Sequence, residues 1–501
     1  MTVYSFNLGI GWASSGVEYA QVYRARLLRN IKQPAKFVFT DLILNENIEH
    51  MTKNIGFNDS EIIWLYQYFT DVKISPTTYT LKQLEKSINF KKRKGTIKHA
   101  GAKIVRYYFE KENKFVTAFL KEPNSDIVER VEHVSHDFLI RKDYFTYTKL
   151  FSEYYTPRNS RAYLYQRRFF NEDGSVAYEQ IVDGKDEIYR MKDSVLYSKI
   201  ELINYFLSKL NLTSKDILLL DRATCMGQSV FRNRGTARLG VVVHAEHFSE
   251  NATDDKNILW NNYYEYQFDY ARYVDFFITA TDVQNKLMKE HFKKYCTHVP
   301  RVVTIPVGSL DKLRYPEKKR KSQSLITASR LASEKHIDWL ILAVVKAHKN
   351  IPHLVFDIYG SGGENEKLLA LINYNEAGNY IHLRGHTDLT EVYKNYEAYI
   401  TASTSEGFGL TLLEAVGSGL PLIGLNVRYG NQTFIENDQN GFLIQYDENP
   451  SLAEITNKIS NKILKLFENK NIRSFRKASY LIGEKYLANE IEQKWEKLLE
   501  G

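Results

Sequence analysis

The stretch TSEGFGLTLLEAVGSG, residues 404–419, constrains the fold more than any other part of this chain. The apolar run EAYITAS before it predicts a strand, which leads into a glycine-bracketed acidic turn, Glu406-Gly407-Phe408-Gly409, and then into an apolar helix. The helix carries a second acid, Glu414. A strand, a tight loop and a helix N-terminus together suit a polyanion or a polyhydroxyl ligand, because ionised carboxylates accept hydrogen bonds from hydroxyls. The bland alternative is an ordinary α/β loop with a surface Glu.

The rest of the C-terminal half alternates short apolar runs with helical patterns. This alternation predicts a parallel sheet covered on both faces, with TEVYKNYE (390–397) as one of the helical segments. Ligands of such sheets bind at the carboxyl ends of the strands, where Arg330, Gly360, Gly385 and Glu406 fall. The predicted strands are LITASR (325–330), LVFDIYGSG (354–362), IHLRGHTD (381–388) and LPLIGLNV (420–427).

Two cations stand at the first of these strand ends. Arg330 ends a strand and Lys335 precedes a helix, so both can meet a diphosphate, Arg through its planar fork and Lys as a point charge. The alternative is a surface salt bridge to Glu334. Their place at a strand end favours the diphosphate.

The N-terminal half begins with a similar strand, glycine turn and helix. VYSFNLGIG (3–11) predicts the strand, and Ser14 or Ser15 is expected to cap the helix. Gly16 allows a close approach to a phosphate, with the N–H groups of Val17 and Glu18 as donors. His244 ends a later strand, where it is either a sugar contact or a structural residue. Further parallel strands are predicted in 35–41, 216–221, 237–246, 275–281 and 301–308.

Residues 75–188 break this pattern. They contain β-rich, aromatic-rich runs and a hairpin signal, NEDGS (171–175). These predict an antiparallel sheet inserted between the second and third αβ units of the N-terminal half. Its many Tyr, Phe and Arg residues suit protein binding. A lid or a stabilising addition is the alternative.

The net charge of the chain is concentrated at the start of this insertion. Residues 81–115 contain eleven Lys and Arg against three Asp and Glu, a net of +8 that equals the net charge of the whole chain. Lys91-Lys92-Arg93-Lys94 is the densest run. Such a run suits an acidic protein, an anionic membrane surface or nucleic acid, although no nucleic-acid-binding fold accompanies it. A solvated loop is the simple alternative.

The motif R-L-x-x-E-K-x-x-D from Arg330, followed by E-G-F-G-L-T-L-L-E-A from Glu406, resembles the retaining GT-B glycosyltransferases with an E-x7-E motif. The resemblance implies two Rossmann-like domains and a nucleotide-sugar donor. It implies that Glu406, His244 and Glu414 are the catalytic residues, and that the donor sugar meets His244, Glu406, Gly407, Phe408 and Gly409. The implied UDP-binding residues are Gly16, Val17, Glu18, Tyr19, Arg330, Lys335, Arg384, Gly385, His386, Thr387 and Glu414; within that set Arg330 and Lys335 would hold the diphosphate, Glu414 the ribose, and Arg384–Thr387 would border the base.

With SFNLGIGWASSGVEYAQVYR at its start and the inserted sheet, the whole chain resembles one group within that class. This group is the catalytic subunits of bacterial enzymes that transfer N-acetylglucosamine to Ser and Thr of serine-rich-repeat adhesins before accessory secretion. The resemblance implies two partners, a homologous non-catalytic stabilising subunit and the adhesin. A glycosyltransferase acting on a cell-wall polymer such as teichoic acid is the alternative, and a non-catalytic adhesin-binding subunit is disfavoured by the intact motif. The residues themselves leave the donor sugar open.

The predicted organisation is an acceptor-side Rossmann-like domain (1–74 and 189–310), the inserted sheet (75–188), a nucleotide-sugar-binding Rossmann-like domain (311–480) and a C-terminal helix (481–501). Only Cys225 and Cys296 are present, which favours a reducing compartment, and no apolar run reaches about 18 residues. We therefore expect a cytoplasmic protein, peripheral on the inner face of the membrane. No Asp-x-Asp follows a strand, so no metal and no cofactor are expected; cations and helix N-termini would neutralise the leaving diphosphate.

Overall fold

The structure is a computed structural model that describes residues 1–11, 16–445, 450–468 and 472–501. The chain divides into two compact units. The first contains Met1–Ala25, Gln33–Val241 and Asn262–Asp275, and the second contains Arg26–Lys32, Val242–Asn261 and Phe276–Gly501. The predicted helix caps Ser14 and Ser15 lie outside the described residues.

The first unit starts with a parallel β/α arrangement. Its elements are β1 (Val3–Asn7), α1 (Gly16–Asn30), β2 (Ala35–Phe39), α2 (Ile48–Ile55) and β3 (Ile62–Trp64). β1 pairs with β2 and β2 pairs with β3, both in parallel register. Two strands were predicted before the insertion, so β3 is an addition; a run of three residues is too short to show a period.

An antiparallel sheet follows, as predicted. It is preceded by α3 (Leu81–Ser87) and α4 (Phe90–Arg93). The sheet has ten strands in sequence order. The turn Asn171–Ser175 closes the predicted hairpin, with Asn171 N donating to Ser175 O at 2.9 Å. The strands are β4 (Thr96–His99), β5 (Ile104–Phe109), β6 (Lys114–Leu120), β7 (Val128–Ser135), β8 (Phe138–Phe145), β9 (Lys149–Arg158), β10 (Arg161–Phe170), β11 (Val176–Asp183), β12 (Asp186–Arg190) and β13 (Val195–Leu196).

The chain then returns to the parallel sheet through α5 (Lys199–Lys209), β14 (Ile217–Leu220), α6 (Gly227–Asn233) and β15 (Arg238–Val243). β14 pairs with β1 on one side and with β15 on the other, both in parallel. All four residues of β14, ILLL, are buried, as expected for a central strand that is covered on both faces.

Aromatic rings join the antiparallel sheet to its host inside the first unit. Tyr66, just after β3, stacks on Phe169 of β10 with ring centroids 6.0 Å apart, and Phe169 stacks on Tyr178 of β11 at 4.3 Å. The Tyr178 hydroxyl donates to the backbone oxygen of Tyr66 at 2.6 Å. Trp64 meets Phe151 of β9 edge-on at 6.4 Å. The insertion and the parallel strands beside it therefore share one core.

Four short strands and two helices connect to the C-terminal part of the chain. They are β16 (Phe248–Ser249), β17 (Leu259–Trp260), α7 (Glu265–Asp269), β18 (Phe276–Thr279), α8 (Asp282–Tyr295) and β19 (Val302–Thr304). β18 and β19 pair in parallel, and β16 and β17 form an antiparallel pair.

The second unit is built on a six-stranded parallel sheet in the order β22-β21-β20-β23-β24-β25. Apolar clusters cover the sheet, one of them around α9 and α13 and another around α11 and α14. The elements are β20 (Ser324–Ala328), α9 (Ile337–His348), β21 (Val355–Tyr359), α10 (Asn365–Tyr374), β22 (Ile381–Gly385), β23 (Ala398–Ile400), α11 (Leu410–Gly417), β24 (Leu422–Leu425), α12 (Gly430–Phe434), β25 (Gly441–Ile444), α13 (Leu452–Glu468), α14 (Ile472–Glu484) and α15 (Ala488–Glu500).

The helix predicted over 390–397 is wrong. Only Tyr393–Asn395 forms a single 3-10 turn. Tyr393 and Tyr396 are drawn into the core beside the sheet, and a short connection to β23 leaves no room for a further turn. In the ranges that the structure describes, no helix combines the length and apolar character needed to cross a membrane.

Candidate active site

The loop between β23 and α11 carries Glu406. Gly409 adopts a φ of +87° before α11, a left-handed conformation that glycine reaches without strain. Leu412 and Leu413 of the helix are buried, which fixes α11 against the sheet. The backbone oxygen of Glu406 accepts from Tyr429 N at 2.7 Å and from Gly430 N at 2.8 Å. The loop is therefore held from both sides.

Lys335 and Glu406 meet directly. Lys335 ends the short 3-10 turn Ser333–Lys335 that follows β20, and its Nζ donates to Glu406 Oε2 at 2.8 Å and to Ser403 Oγ at 3.1 Å. The two side chains are only 16% and 22% exposed. The cation predicted for a diphosphate and the acid predicted for a sugar thus lie in one place, although 71 residues separate them.

Backbone hydrogen bonds align the neighbouring strand ends. Thr404 N donates to Glu334 O at 3.2 Å, Leu331 N to Ser361 O at 2.9 Å, and Gly360 N to Gly385 O at 2.8 Å. A Cβ on Gly360 would lie 1.8 Å from Ser329 O, so glycine is required for this close approach. The predicted site residues after β20, β21, β22 and β23 therefore share one edge of the sheet, as the rule for parallel sheets predicts.

Arg330 is placed at this edge with its side chain in solvent. It is 73% exposed, and its Nη2 donates to Glu334 Oε1 at 3.0 Å. This contact is the surface salt bridge weighed as the alternative. Exposed pairs of this kind contribute little to stability, so Arg330 can exchange Glu334 for a ligand at small cost.

Glu414 lies in the second turn of α11, as predicted. It keeps some solvent exposure, but burial raises the pKa of its carboxyl to about 7, while a hydrogen bond with the Tyr393 hydroxyl acts in the opposite direction. A carboxyl in this condition changes its charge near neutral pH, which is typical of a functional site.

Arg384 is anchored at the end of β22. Its Nε donates to Asp357 Oδ1 at 2.9 Å, while the Tyr396 hydroxyl donates to Asp357 Oδ2 at 2.6 Å. Burial alone would raise the pKa of Asp357, but hydrogen bonds from Tyr396, Arg384 and His382 lower it below its usual value. The anchored Arg384 is followed by three exposed residues, Gly385, His386 and Thr387, so this loop is accessible where a base was predicted to bind.

His244 directly follows β15, and its backbone lies against the Glu406 loop. A Cβ on Gly407 would stand 2.7 Å from His244 O. Gln284 of α8 fixes the next residue by donating to Ala245 O at 2.8 Å. Three predicted sugar-site residues, His244, Glu406 and Gly407, are therefore brought together.

Behind this loop lies a buried chain of polar side chains that sequence reasoning missed. The Tyr429 hydroxyl lies 3.1 Å from His247 Nδ1, and His247 Nε2 lies 3.0 Å from His291 Nδ1. Burial lowers the pKa of His247 to about 3, so this ring is neutral at physiological pH. Tyr429 connects the chain to Glu406 through its backbone. No local signal marks these contacts, because the residues come from three separate segments.

Two residues that were predicted to contact the donor, Phe408 and Glu18, have side chains that contact other residues of the protein. Phe408 is 5% exposed and packs against Phe434 and Tyr486, so only its backbone can meet a ligand. In the first unit, the buried Glu18 accepts from Asn7 Nδ2 at 3.2 Å and from Arg222 Nη1 at 2.8 Å. Around it, Gly16 and Tyr19 are exposed at the start of α1 and Val17 is half-buried.

Within the described residues, no group of three or more His, Cys, Asp or Glu side chains is arranged to hold a metal ion. Two acids of the site form ion pairs, Glu406 with Lys335 and Asp357 with Arg384.

Comparisons with known proteins cover the whole chain. Residues 97–193 match the GtfA extended beta-sheet domain, and residues 311–474 match the glycosyl transferases group 1 family. The GtfA subunit of the UDP-N-acetylglucosamine–peptide N-acetylglucosaminyltransferase of Streptococcus gordonii is 54% identical over 500 residues, which is 100% of this chain and 98% of the relative. A poly(ribitol-phosphate) alpha-N-acetylglucosaminyltransferase of Staphylococcus aureus is 25% identical over 83% of this chain and 84% of that protein.

Two solved structures superpose closely. The crystal structure of the pneumococcal O-GlcNAc transferase GtfA in complex with UDP and GlcNAc has a TM-score of 0.93 and 51% identity, covering 100% of this chain and 98% of that one. The crystal structure of a GtfA/B complex has a TM-score of 0.96 and 53% identity, with 100% and 99% covered. These likenesses confirm the predicted GT-B fold with its inserted sheet. The chain therefore belongs to the family of GtfA subunits of UDP-N-acetylglucosamine–peptide N-acetylglucosaminyltransferases.

Proposed function

We propose that this protein transfers N-acetylglucosamine from UDP-N-acetylglucosamine to Ser and Thr of a serine-rich-repeat adhesin, with retention of the anomeric configuration. The observation that carries the proposal is the contact between Lys335 and Glu406 at a strand end. The side chain that we expect to bind the diphosphate and the side chain that we expect to bind the sugar lie next to each other there. The names of the relatives, UDP-N-acetylglucosamine–peptide transferases at 51–54% identity, support the donor and the acceptor.

In the proposed reaction, Arg330 and Lys335 bind the diphosphate, Glu406 orients the sugar, and Glu414 accepts hydrogen bonds from the ribose. Arg384–Thr387 border the base, and His244 contacts the sugar; the roles of Gly16–Tyr19 in UDP binding stay predictions. The bond from the sugar to UDP breaks as the acceptor oxygen bonds to the same face. The hydroxyl proton of the acceptor passes to the leaving phosphate. Product NMR showing inversion at the anomeric carbon would contradict this mechanism.

The acceptor is tested by competition. We expect the purified protein, with its partner, to glycosylate a Ser/Thr-rich polypeptide and to leave a ribitol- or glycerol-phosphate polymer unmodified, as read by mass spectrometry with several UDP-sugars offered together. Transfer to the polymer instead would favour the alternative, cell-wall glycosylation, which the Staphylococcus aureus relative represents at 25% identity.

We also propose that the protein works with a second, homologous and non-catalytic glycosyltransferase subunit, because a relative at 53% identity was crystallised as a GtfA/B complex. Co-purification of the two chains and a gain of polypeptide transfer on mixing would support this. Full activity of the isolated chain on the adhesin would contradict it.

The reaction is proposed to need no metal and no other cofactor, since Lys335 and Arg330 supply the positive charge at the leaving group. Turnover should therefore survive treatment with a chelator. We further propose a cytoplasmic site of action on the inner face of the membrane, which cell fractionation tests; the exposed lysines of the insertion are the groups that would meet an anionic surface.

A further inference from the structure

Tyr429 joins the Glu406 loop to the buried histidines behind it. Its backbone N–H donates to Glu406 O at 2.7 Å, and the next N–H, of Gly430, donates to the same oxygen at 2.8 Å. A Cβ on Gly430 would lie 2.3 Å from Phe408 O and 3.0 Å from Glu406 Cγ, so the two segments are in direct contact. The position of Glu406 therefore depends on where Tyr429 is held.

The side chain of Tyr429 is held by two histidines of the same compact unit. Its buried hydroxyl lies 3.1 Å from His247 Nδ1, and the two rings stack with centroids 6.2 Å apart. His247 is fully buried, and its Nε2 lies 3.0 Å from Nδ1 of His291 on α8. Met288 and Phe292 anchor α8 in the core. The histidines therefore connect Tyr429 to a helix that is itself firmly packed.

Both contacts of His247 fit one neutral imidazole ring. Burial lowers the pKa of His247 to about 3, with His291 and Arg428 acting in the same direction, so the ring is uncharged at neutral pH. A neutral imidazole has one N–H donor and one acceptor nitrogen, and both nitrogens of His247 have a partner here. The ring is bound at both ends, so it fixes the direction as well as the distance of the Tyr429 hydroxyl.

A hydrogen-bonded pair at this place supplies more than filled space. Replacing two buried partners by apolar groups of the same shape is often nearly neutral for stability, so packing alone does not require the polar atoms. What the pair adds is direction, because a hydrogen bond weakens steeply when its atoms are misaligned. Direction matters most beside a reacting group, where a displacement of ~1 Å can cost about 100-fold in rate.

We propose that His247 is a positioning residue for sugar transfer: through Tyr429 it holds the loop that places the Glu406 carboxylate against the donor sugar. His291 orients His247 in turn. The inference rests on the proposed function, because the role of Glu406 toward the sugar is part of that function. The histidines act through the loop and do not touch the substrate, so their loss should lower the rate of transfer far more than the affinity for UDP.

Amide substitutions at position 247 separate positioning from packing. The amide of Asn lies where Nδ1 lies, so His247→Asn keeps the bond to Tyr429 and should retain most of the wild-type kcat. The amide of Gln lies near the place of Nε2, so His247→Gln loses that bond. We expect His247→Gln and Tyr429→Phe each to lower kcat about 3- to 10-fold, as for one neutral hydrogen bond, with UDP affinity nearly unchanged. A role in packing alone predicts the reverse order of the amides, because Gln is closer to His in size.

A double substitution and a matched control complete the kinetic test. If His247 acts through the Tyr429 hydroxyl, His247→Gln combined with Tyr429→Phe should lower kcat no more than either change alone. The control is His348→Gln. His348 is also half-buried, stacks on Tyr380 at 3.6 Å and has its Nδ1 3.2 Å from Leu354 O, but it ends α9 just before β21 begins. Its substitution should leave kcat unchanged.

Hydrogen exchange measured by mass spectrometry tests the same coupling without activity. Tyr429→Phe and His247→Gln should speed exchange of the peptide that contains the N–H groups of Tyr429 and Gly430, while peptides of β21 exchange as in the wild type. Unchanged exchange together with wild-type kcat in both variants would overturn the proposal, as would an activity of His247→Gln above that of His247→Asn.

Rates are measured both for transfer to a Ser/Thr-rich polypeptide and for hydrolysis of the donor without acceptor. A wild-type protein that hydrolyses the donor but leaves the polypeptide unmodified would contradict the proposed acceptor, and the comparison of variants in hydrolysis would still decide the role of His247. Normal transfer by all the variants would remove the positioning role alone.

Discussion

At the scale of single residues, the two cations at the strand end are the most direct test of the site. We expect Arg330→Ala and Lys335→Ala each to lower kcat/KM for the donor about 10- to 100-fold, since a lost charged hydrogen bond costs about 1.5–3 kcal/mol. Steady-state kinetics and calorimetry with UDP check this. Lys458→Ala is the control, because Lys458 makes an ion pair with Glu454 on α13. Unchanged UDP affinity and turnover in both site variants would refute the assignment.

Substitutions of Glu406 and Glu414 should have different effects on kcat and on UDP affinity. Glu406→Gln is expected to lower kcat more than UDP affinity, because its carboxylate meets Lys335 where the sugar is proposed to lie. Glu414→Gln should weaken UDP itself. Pre-steady-state transfer measures the effect on kcat, and UDP titration measures the effect on affinity. If Glu406→Gln weakened UDP binding and Glu414→Gln lowered only kcat, the roles assigned to the two acids would have to be exchanged.

Glu414 also predicts a pH dependence. Its pKa of about 7 means that it is largely neutral at pH 6 and ionised at pH 8, and the ionised form is the better acceptor for ribose hydroxyls. UDP affinity should therefore rise from pH 6 to 8 in the wild type more than in Glu414→Gln, where the titration of UDP itself remains as the background. Identical pH profiles would show that this carboxyl does not bind the ribose.

The same shift has a consequence for stability with the opposite sign. Because the folded-state pKa lies above the unfolded value, the stability from protonated Glu414 is fully present below about pH 4.5 and is lost as the pH rises through about 7. In thermal unfolding, the melting temperature of Glu414→Gln relative to that of the wild type should increase from pH 5 to pH 8. A constant difference across that range would contradict the shifted pKa.

At the scale of elements, the loop after β23 depends on its glycines. Gly407→Ala would place a Cβ 2.7 Å from His244 O, so the loop that carries Glu406 must move. Since a displacement of ~1 Å can cost about 100-fold in rate, we expect a large fall in kcat with little change in melting temperature. Gly363→Ala is the matched control, because its Cβ would meet nothing within 4 Å. Equal activity of the two variants would show that the loop tolerates the shift.

Some elements of the fold could be predicted from the sequence and others could not. The run ILLL in β14, although only four residues long, and the helix α9 were predicted correctly, because an uninterrupted apolar run and a helical period leave strong local patterns. β3 and β25, with three and four residues, were missed. Residues after strand ends were predicted to share one edge, and they do. The pairing of Lys335 with Glu406 and the chain from Tyr429 to His291 could not be predicted, because they depend on contacts between distant segments.

At the scale of the whole molecule, the basic run Lys91–Lys94 has to be tested by substituting its three lysines only. Arg93 donates to Glu112 at 2.7 and 2.8 Å and lies 3.5 Å from the centre of the Phe109 ring, so it holds α4 on the sheet. Lys91, Lys92 and Lys94 are exposed. Changing these three to Gln should slow association with an acidic partner or an anionic membrane, most clearly at low salt. Donor hydrolysis without acceptor should stay unchanged.

Arg93→Gln serves as the contrast in that experiment. It should lower thermal stability without a comparable salt-dependent effect on association, since its partners are internal. If the association rate at low salt were the same in the wild type and in the variant with Lys91, Lys92 and Lys94 changed to Gln, the insertion would have no electrostatic role in association.

The shared aromatic core of the first unit decides how such enzymes can be recombined. Because Tyr66 stacks on Phe169 and Trp64 meets Phe151, cutting the chain at the borders of the antiparallel sheet divides a packed interior. Replacing the sheet by a linker would expose those rings to water. A loss of activity in such a variant could then result from misfolding rather than from loss of the surface that binds a partner protein. A chimaera that borrows the sheet of a relative must therefore carry the residues after β2 with it, so that the unit exchanged by an engineer is larger than the sheet itself.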